Sequence, residues 1–362
     1  MRVDGADGYE RAGQAQKGLT MSLTEANPDQ RIDPDPLSPL NQMQQYLVHE
    51  FVEDYQDGLL SRRDLIAKIG YIAGGTSAAL VILERFGISE SSAQEATQTP
   101  SATNPNSAFS VAEGDPDVVT AEISFDSNGI QYTAYEARPA GEEAATPMAE
   151  ATAVPMAKVP ALVLVCHENR GLTDHIRDVA RRLAAAGYIG VALDLLSPEG
   201  GTASIADPSS IPGILTGGDI YRHVQAFTDA ITYYEQLGEP AAENPGMIGF
   251  CFGGGMTWRT VTREPRLQAG VAFYGPPPPL EEVPNIKAAV LGVYSDDPGD
   301  FANNGLSDLE SALADAGITH EIRVYPGTQH AFHNDTGQRY NAAKAAAAWT
   351  DTLNWLGAHL GS

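Results

Sequence analysis

The chain has 362 residues, with 22 Lys and Arg against 47 Asp and Glu and a formal net charge of -25. So few basic residues leave a surface that repels nucleic acid and anionic lipid, and neither is expected as a partner. The 2 cysteines, Cys166 and Cys251, exclude a disulfide framework and lack the neighbours of a structural zinc site, so they read as free thiols.

Residues 1 to about 40 are polar with repeated Asp-Pro pairs (Asp33-Pro34, Asp35-Pro36), a composition expected to stay disordered. Residues 40–60 read as a helix, since Met43, Tyr46, Leu47 and Phe51 recur at helical spacing among Gln, Glu and Asp. Next come Ser61-Arg62-Arg63-Asp64-Leu65-Ile66 and an apolar, Gly- and Ala-rich run through Leu83. Paired arginines before a weakly hydrophobic run resemble a twin-arginine export signal. The long leader before them, and Glu84-Arg85 after the run, fit instead an amphipathic helical appendage with Arg62 and Arg63 on its wet face. Export and a cytoplasmic location both stay open. Residues 89–108 are rich in Ser, Thr, Gln, Asn and Pro and read as a flexible linker. The chain thus divides into an N-terminal extension over 1–88, a linker over 89–114 and a large domain over 115–362.

In that domain, residues 119–125 and 130–135 alternate apolar and polar around Ser127-Asn128-Gly129, the pattern of a hairpin. Residues 144–158 form a low-complexity insert that reads as a surface loop. Strands and helices then alternate. Strands are expected over 161–166, 188–194, 247–250, 269–274, 288–294 and 320–325, and helices over 174–185, 219–236, 306–316 and 340–360. Such alternation means a doubly wound, mostly parallel α/β sheet with helices on both faces.

Function in such a sheet gathers at the carboxyl ends of strands. Four loops there carry reactive side chains: Cys166 to Gly171, the turn at Cys251, Ser295 to Asp300, and Gly327 to His333. Gly249-Phe250-Cys251-Phe252-Gly253 is a sharp strand-to-helix turn whose small flanking residues permit a strained nucleophile. The helix after it points its positive end at the sulfur and is expected to favour thiolate. Cysteine, acid and histidine follow in the chain order of the α/β-hydrolase triad, in which His330 moves the proton and an aspartate orients the imidazole. Asp297 and Asp300 both suit the acid by position. A metal site built from His330 and His333 lacks a carboxylate partner, so neither metal nor cofactor is expected.

His167-Glu168-Asn169-Arg170-Gly171-Leu172, Asp178-Val179-Ala180-Arg181-Arg182-Leu183, Gly249 to Gly255, and Tyr325-Pro326-Gly327 leading to His330-Ala331-Phe332-His333-Asn334-Asp335 carry a further likeness. With these blocks in this order, residues 115–360 resemble the dienelactone hydrolase (carboxymethylenebutenolidase) family. The resemblance implies Cys251 as nucleophile, His330 as general base and Glu168 as the carboxylate that helps generate thiolate. It also implies an oxyanion hole from the backbone N–H groups of Phe252 and Asn169. Founding members hold a substrate carboxylate with an arginine shortly after the histidine; here no arginine follows until Arg339. A dienelactone is therefore not the expected substrate.

The expectation is a monomeric hydrolase of a small ester or lactone, without a stable partner. An acyltransferase or thioesterase using the same thiol, and a binding module on a hydrolase scaffold, are the alternatives. Cys166 and Cys251 are not expected to pair.

Overall fold

In the computed structural model, which describes residues 35–89, 107–141 and 160–361, three helices precede the sheet: α1 (Gln42–Gln56), α2 (Arg62–Ala73) and α3 (Thr76–Arg85). Asn41 opens α1 with a capping box, its side chain accepting from the Gln44 N–H while Gln44 returns the bond. The apolar run after the arginine pair is broken at Gly74-Gly75, so α2 and α3 bend 109° against each other. Among the described residues no single helix is long and apolar enough to cross a membrane. Val48, Phe51 and Val52 of α1 pack with Leu65, Ile69, Ile82 and Leu83 into a small core of their own. Tyr46, Glu50 and Asp54, spaced by four, form a second buried stripe on α1 that faces the large domain.

The large domain begins with the antiparallel hairpin β1 (Val118–Ser127) and β2 (Ile130–Pro139). It continues through β3 (Leu162–Cys166), α4 (Asp174–Ala185), β4 (Ile189–Leu193), α5 (Ile211–Thr216), α6 (Tyr221–Gln236) and β5 (Gly246–Phe250). Then follow α7 (Phe252–Val261), β6 (Ala269–Phe273), β7 (Ala289–Ser295), α8 (Leu306–Asp315), β8 (His320–Tyr325) and α9 (Ala342–His359). The strands make one 8-stranded sheet in the order β1-β2-β4-β3-β5-β6-β7-β8. Pairing is antiparallel across β1, β2 and β4 and parallel from β4 to β8. Every residue of β3, β5, β6 and β7 is buried, so the sheet centre is covered on both faces; α7 lies against β5 and β6, and α9 against β6 and β7. Continuous apolar runs such as Leu162-Val163-Leu164-Val165 are what two-sided burial selects.

The start expected to be disordered, residues 90–106 of the segment read as linker and the insert over 144–158 lie outside the described residues, apart from residues 35–40, where Leu37 is buried. The end of the segment read as linker is packed. Ser107 is buried and donates its N–H to Asp335 Oδ2 at 3.2 Å, and Phe109 stacks on Trp349.

A buried ionic clamp explains two of the sequence blocks. Arg182 is fully buried and bonds Asp178 Oδ2 at 2.5 Å and Asp335 Oδ2 at 2.7 Å, with its guanidinium 4.6 Å from the Phe109 ring. Asp178 also accepts from Ser110 Oγ and the Val111 N–H, both at 2.7 Å, and Asp335 from His175 Nδ1 at 2.9 Å. The clamp ties residues 107–111, α4 and the loop after His330 into one unit.

Candidate active site

Cys251 sits between β5 and α7 with φ 54° and ψ -116°, a conformation non-glycine residues rarely adopt. The turn closes only because its flanks lack side chains. A Cβ at Gly249 would lie 2.0 Å from the Gly253 carbonyl oxygen, and one at Gly253 would lie 2.3 Å from that of Cys166. The strain is held by the Cys251 N–H, which donates to the Phe273 carbonyl at 3.0 Å.

His330 comes to this sulfur from the loop after β8, beside Ala331 at φ 61°. Its Nδ1 is 2.9 Å from Asp300 Oδ1. Asp300 is in turn oriented by Ser295 Oγ at 2.6 Å and the Ala302 N–H at 3.0 Å. With Nδ1 on Asp300, Nε2 is buried and without a hydrogen-bond partner among the described residues, and it offers a lone pair whenever the ring is neutral. Asp297 turns back onto its own loop, where it accepts from the Gly299 N–H at 2.8 Å. Of the two candidate acids, only Asp300 meets His330. Burial opposes charge on His330, yet Asp300, Glu53 and Glu50 raise its pKa to about 9. Burial opposes charge on Asp300 too, but the His330 imidazole holds that carboxyl below its ordinary range.

Glu168, which the family resemblance assigns to thiolate generation when substrate binds, makes no bond to the thiol in this structure. Its oxygens accept from Tyr274 OH at 3.4 Å and Asn334 Nδ2 at 2.6 Å. The Cys251 thiol donates instead to Glu50 Oε1 of α1 at 3.1 Å, with Tyr46 OH 3.7 Å from the sulfur. The other Glu50 oxygen accepts from Asn169 Nδ2. The acidic stripe continues, Asp54 pairing with Arg170, and Arg339 with Glu53 at 2.8 Å and Asp57 at 3.0 Å. Residues assigned to an appendage thus form one wall of a groove of about 520 Å³ that contains Cys251, His330 and Glu168.

This wall reverses one expectation. Burial, then Glu50, Glu168 and Glu53, push the Cys251 thiol well above its ordinary range, against the partial positive charge at the start of α7. Burial first, then the Glu53 charge, lifts Glu50 to about 8. With α1 docked, the sulfur keeps its proton.

Other residues divide simply. His167 Nδ1 donates to the Glu168 carbonyl at 2.6 Å and Nε2 accepts from the Leu195 N–H at 3.2 Å, which fixes the loop after β3. His333 is buried among Phe250, Phe273 and Trp349, turned to the core. Cys166 and Cys251 are both free. Glu50 was missed because it lies 201 residues from Cys251 and nothing between them signals contact; its spacing from Tyr46 and Asp54 was the one available hint.

Known proteins agree with this geometry. The family model described as "Dienelactone hydrolase family" matches residues 148–360. A Saccharolobus solfataricus protein named "Putative carboxymethylenebutenolidase" is 32% identical over 269 residues, 65% of this chain and 97% of its own. An Escherichia coli K12 protein of the same name is 30% identical over 271 residues, 70% of this chain and 93% of its own. The crystal structure titled a putative dienelactone hydrolase from Klebsiella pneumoniae superposes with a TM-score of 0.57 at 28% identity, covering 66% of this chain and 98% of that one. With a matching family model over more than half of its length, and Cys251 and His330 in loops at strand ends of an α/β-hydrolase sheet, this chain belongs to the dienelactone hydrolase family.

Proposed function

We propose that the protein hydrolyses a small carboxylic ester or lactone, with Cys251, His330 and Asp300 as its triad. The observation that carries this reading is a cysteine on a strained turn beside an imidazole whose Nδ1 is held by Asp300 and whose Nε2 is uncommitted. Once α1 has shifted and withdrawn the Glu50 and Glu53 charges that hold a proton on His330, the neutral ring's Nε2 takes the thiol proton as Sγ bonds to the substrate carbonyl carbon, and the carbonyl π electrons move onto oxygen. The backbone N–H groups of Phe252 and Asn169 are assigned to that oxyanion. Its collapse breaks the ester C–O bond, and the leaving alkoxide takes the proton from His330. Water, deprotonated by His330, then cleaves the thioester and releases the acid and the thiol. Glu50 occupies the side of the sulfur that substrate must reach, so α1 has to shift for turnover.

The test is a panel of short aryl esters, lactones and a dienelactone with the purified full chain, with intact mass recorded during turnover. A mass increase equal to the acyl group, located on Cys251, supports the mechanism; turnover with label on another residue sinks it. Asp300→Asn should lower kcat by roughly 10³–10⁴-fold, as loss of the orienting carboxylate does in related triads. Asp297→Asn should leave kcat within about twofold, since surface substitutions rarely matter; equal losses in both would remove Asp300 from its role.

A further inference from the structure

The same corner of the molecule brings together three different donor atoms from three separate elements. Glu50 comes from α1, Cys251 from the turn before α7 and His330 from the loop after β8; one oxygen, the sulfur and one ring nitrogen lie within 4.8 Å of one another, all buried. We propose that Glu50, Cys251 and His330 bind a divalent cation of borderline softness, Zn²⁺ above others, and that the ion ties α1 down over the catalytic thiol.

The donor chemistry selects the ion. Thiolate and imidazole favour zinc over the hard cations magnesium and calcium, which prefer all-oxygen shells. Bonds of about 2.0–2.3 Å place tetrahedral ligands roughly 3.4–3.7 Å apart, so closing this set needs shifts of about 1 Å. The supporting bonds already stand. His330 Nδ1 is on Asp300, leaving Nε2 buried and unpartnered, and the second Glu50 oxygen is on Asn169. Carboxylate–histidine and amide–carboxylate contacts of this kind orient metal ligands. The neighbouring carboxylates of Glu53 and Glu168 add a field that favours a cation, and the adjoining groove leaves room for water as a fourth ligand. On binding, the S–H bond breaks, its electron pair goes to the metal and the proton to solvent. A sulfur so engaged cannot attack a carbonyl, and Glu50 so engaged cannot leave.

The experiment is a titration of the full chain with Co²⁺, followed by displacement with Zn²⁺. The expected result is a sulfur-to-cobalt charge-transfer band that saturates at one ion per chain and disappears in Cys251→Ser. Glu50→Gln, with unchanged circular dichroism, should weaken binding by about tenfold or more. As a second readout, Zn²⁺ should slow alkylation of Cys251 by iodoacetamide in the unmodified chain, which does not depend on any variant folding. Absence of the band, absence of protection, or equal affinity in Glu50→Gln overturns the site. A chain that hydrolyses esters but shows no band loses this proposal alone; one that shows the band yet turns over nothing after the metal is stripped by a chelator loses the hydrolase reading alone.

Discussion

Cys251→Ala is expected to reduce kcat for an aryl ester by roughly 10⁵–10⁶-fold, because removing the nucleophile disables the triad as a unit. What survives should be slow attack by water in a site that still polarises the carbonyl. Cys251→Ser should recover little. The groove wall that keeps even the thiol protonated, through burial and through Glu50, Glu168 and Glu53, would hold the far weaker acid of a serine hydroxyl still more firmly. Cys166→Ala is the control, since Cys166 is buried at the end of β3 and lies outside the triad. Initial rates of the three variants on one aryl ester, beside their circular dichroism, decide the matter. A Cys251→Ala protein that keeps a hundredth of the activity would mean another group attacks.

The second large effect should come from Arg182→Met. Arg182 is fully buried between Asp178 and Asp335, and removing it strands two carboxylates in the interior. Breaking a buried pair in this way costs about 3–5 kcal/mol. At roughly 2–4 °C per kcal/mol for a domain of this size, Tm should fall by roughly 6–20 °C. Activity should fall too in the protein that remains folded, because Asp335 anchors the loop that presents His330. The pH dependence has a definite sign. Burial raises the Asp335 pKa, but His175 and Arg182 outweigh it and hold the carboxyl far below its ordinary range. A depressed carboxylate contributes stability that is complete above its unfolded pKa of about 3.9 and is lost as pH falls below it. Chemical denaturation at neutral and acid pH should therefore show the unmodified chain losing stability on acidification, with Arg182→Met losing less. An Arg182→Met protein as stable as its parent would show that the clamp contributes nothing.

Much of this molecule was readable before any coordinates. The helix expected over 174–185 is α4 to the residue, because Ile176, Val179, Ala180 and Leu183 recur on one face. The central strands were equally plain, since two-sided burial leaves uninterrupted apolar runs. Cys251 and His330 were legible for a related reason. The turn needs Gly249 and Gly253, and strand-end loops are where such a sheet displays its chemistry.

Other features escaped because they are decided by distant contact. Loop counting could not choose between Asp297 and Asp300; the choice follows from where the β8 loop carries His330 and from Ser295 and Ala302, which turn Asp300 toward it. Glu168 bonds Tyr274 and Asn334 in this structure, and only the docked α1 shows that Glu50 accepts from the thiol. Local helix geometry favours thiolate, whereas burial and the docked α1, which brings in Glu50 and Glu53, push the thiol's pKa up.

By itself, then, the sequence determined the sheet, its order of elements and the strand-end loops that carry Cys251 and His330, because these follow from local periodicity, turn sterics and chain order. Only the tertiary structure decided that the N-terminal helix closes the site, which carboxylate meets His330 and which receives the thiol proton. Those outcomes depend on surfaces meeting across 30 residues for Asp300 and His330 and 201 for Glu50 and Cys251, and on burial that changes what each ionisable group can hold.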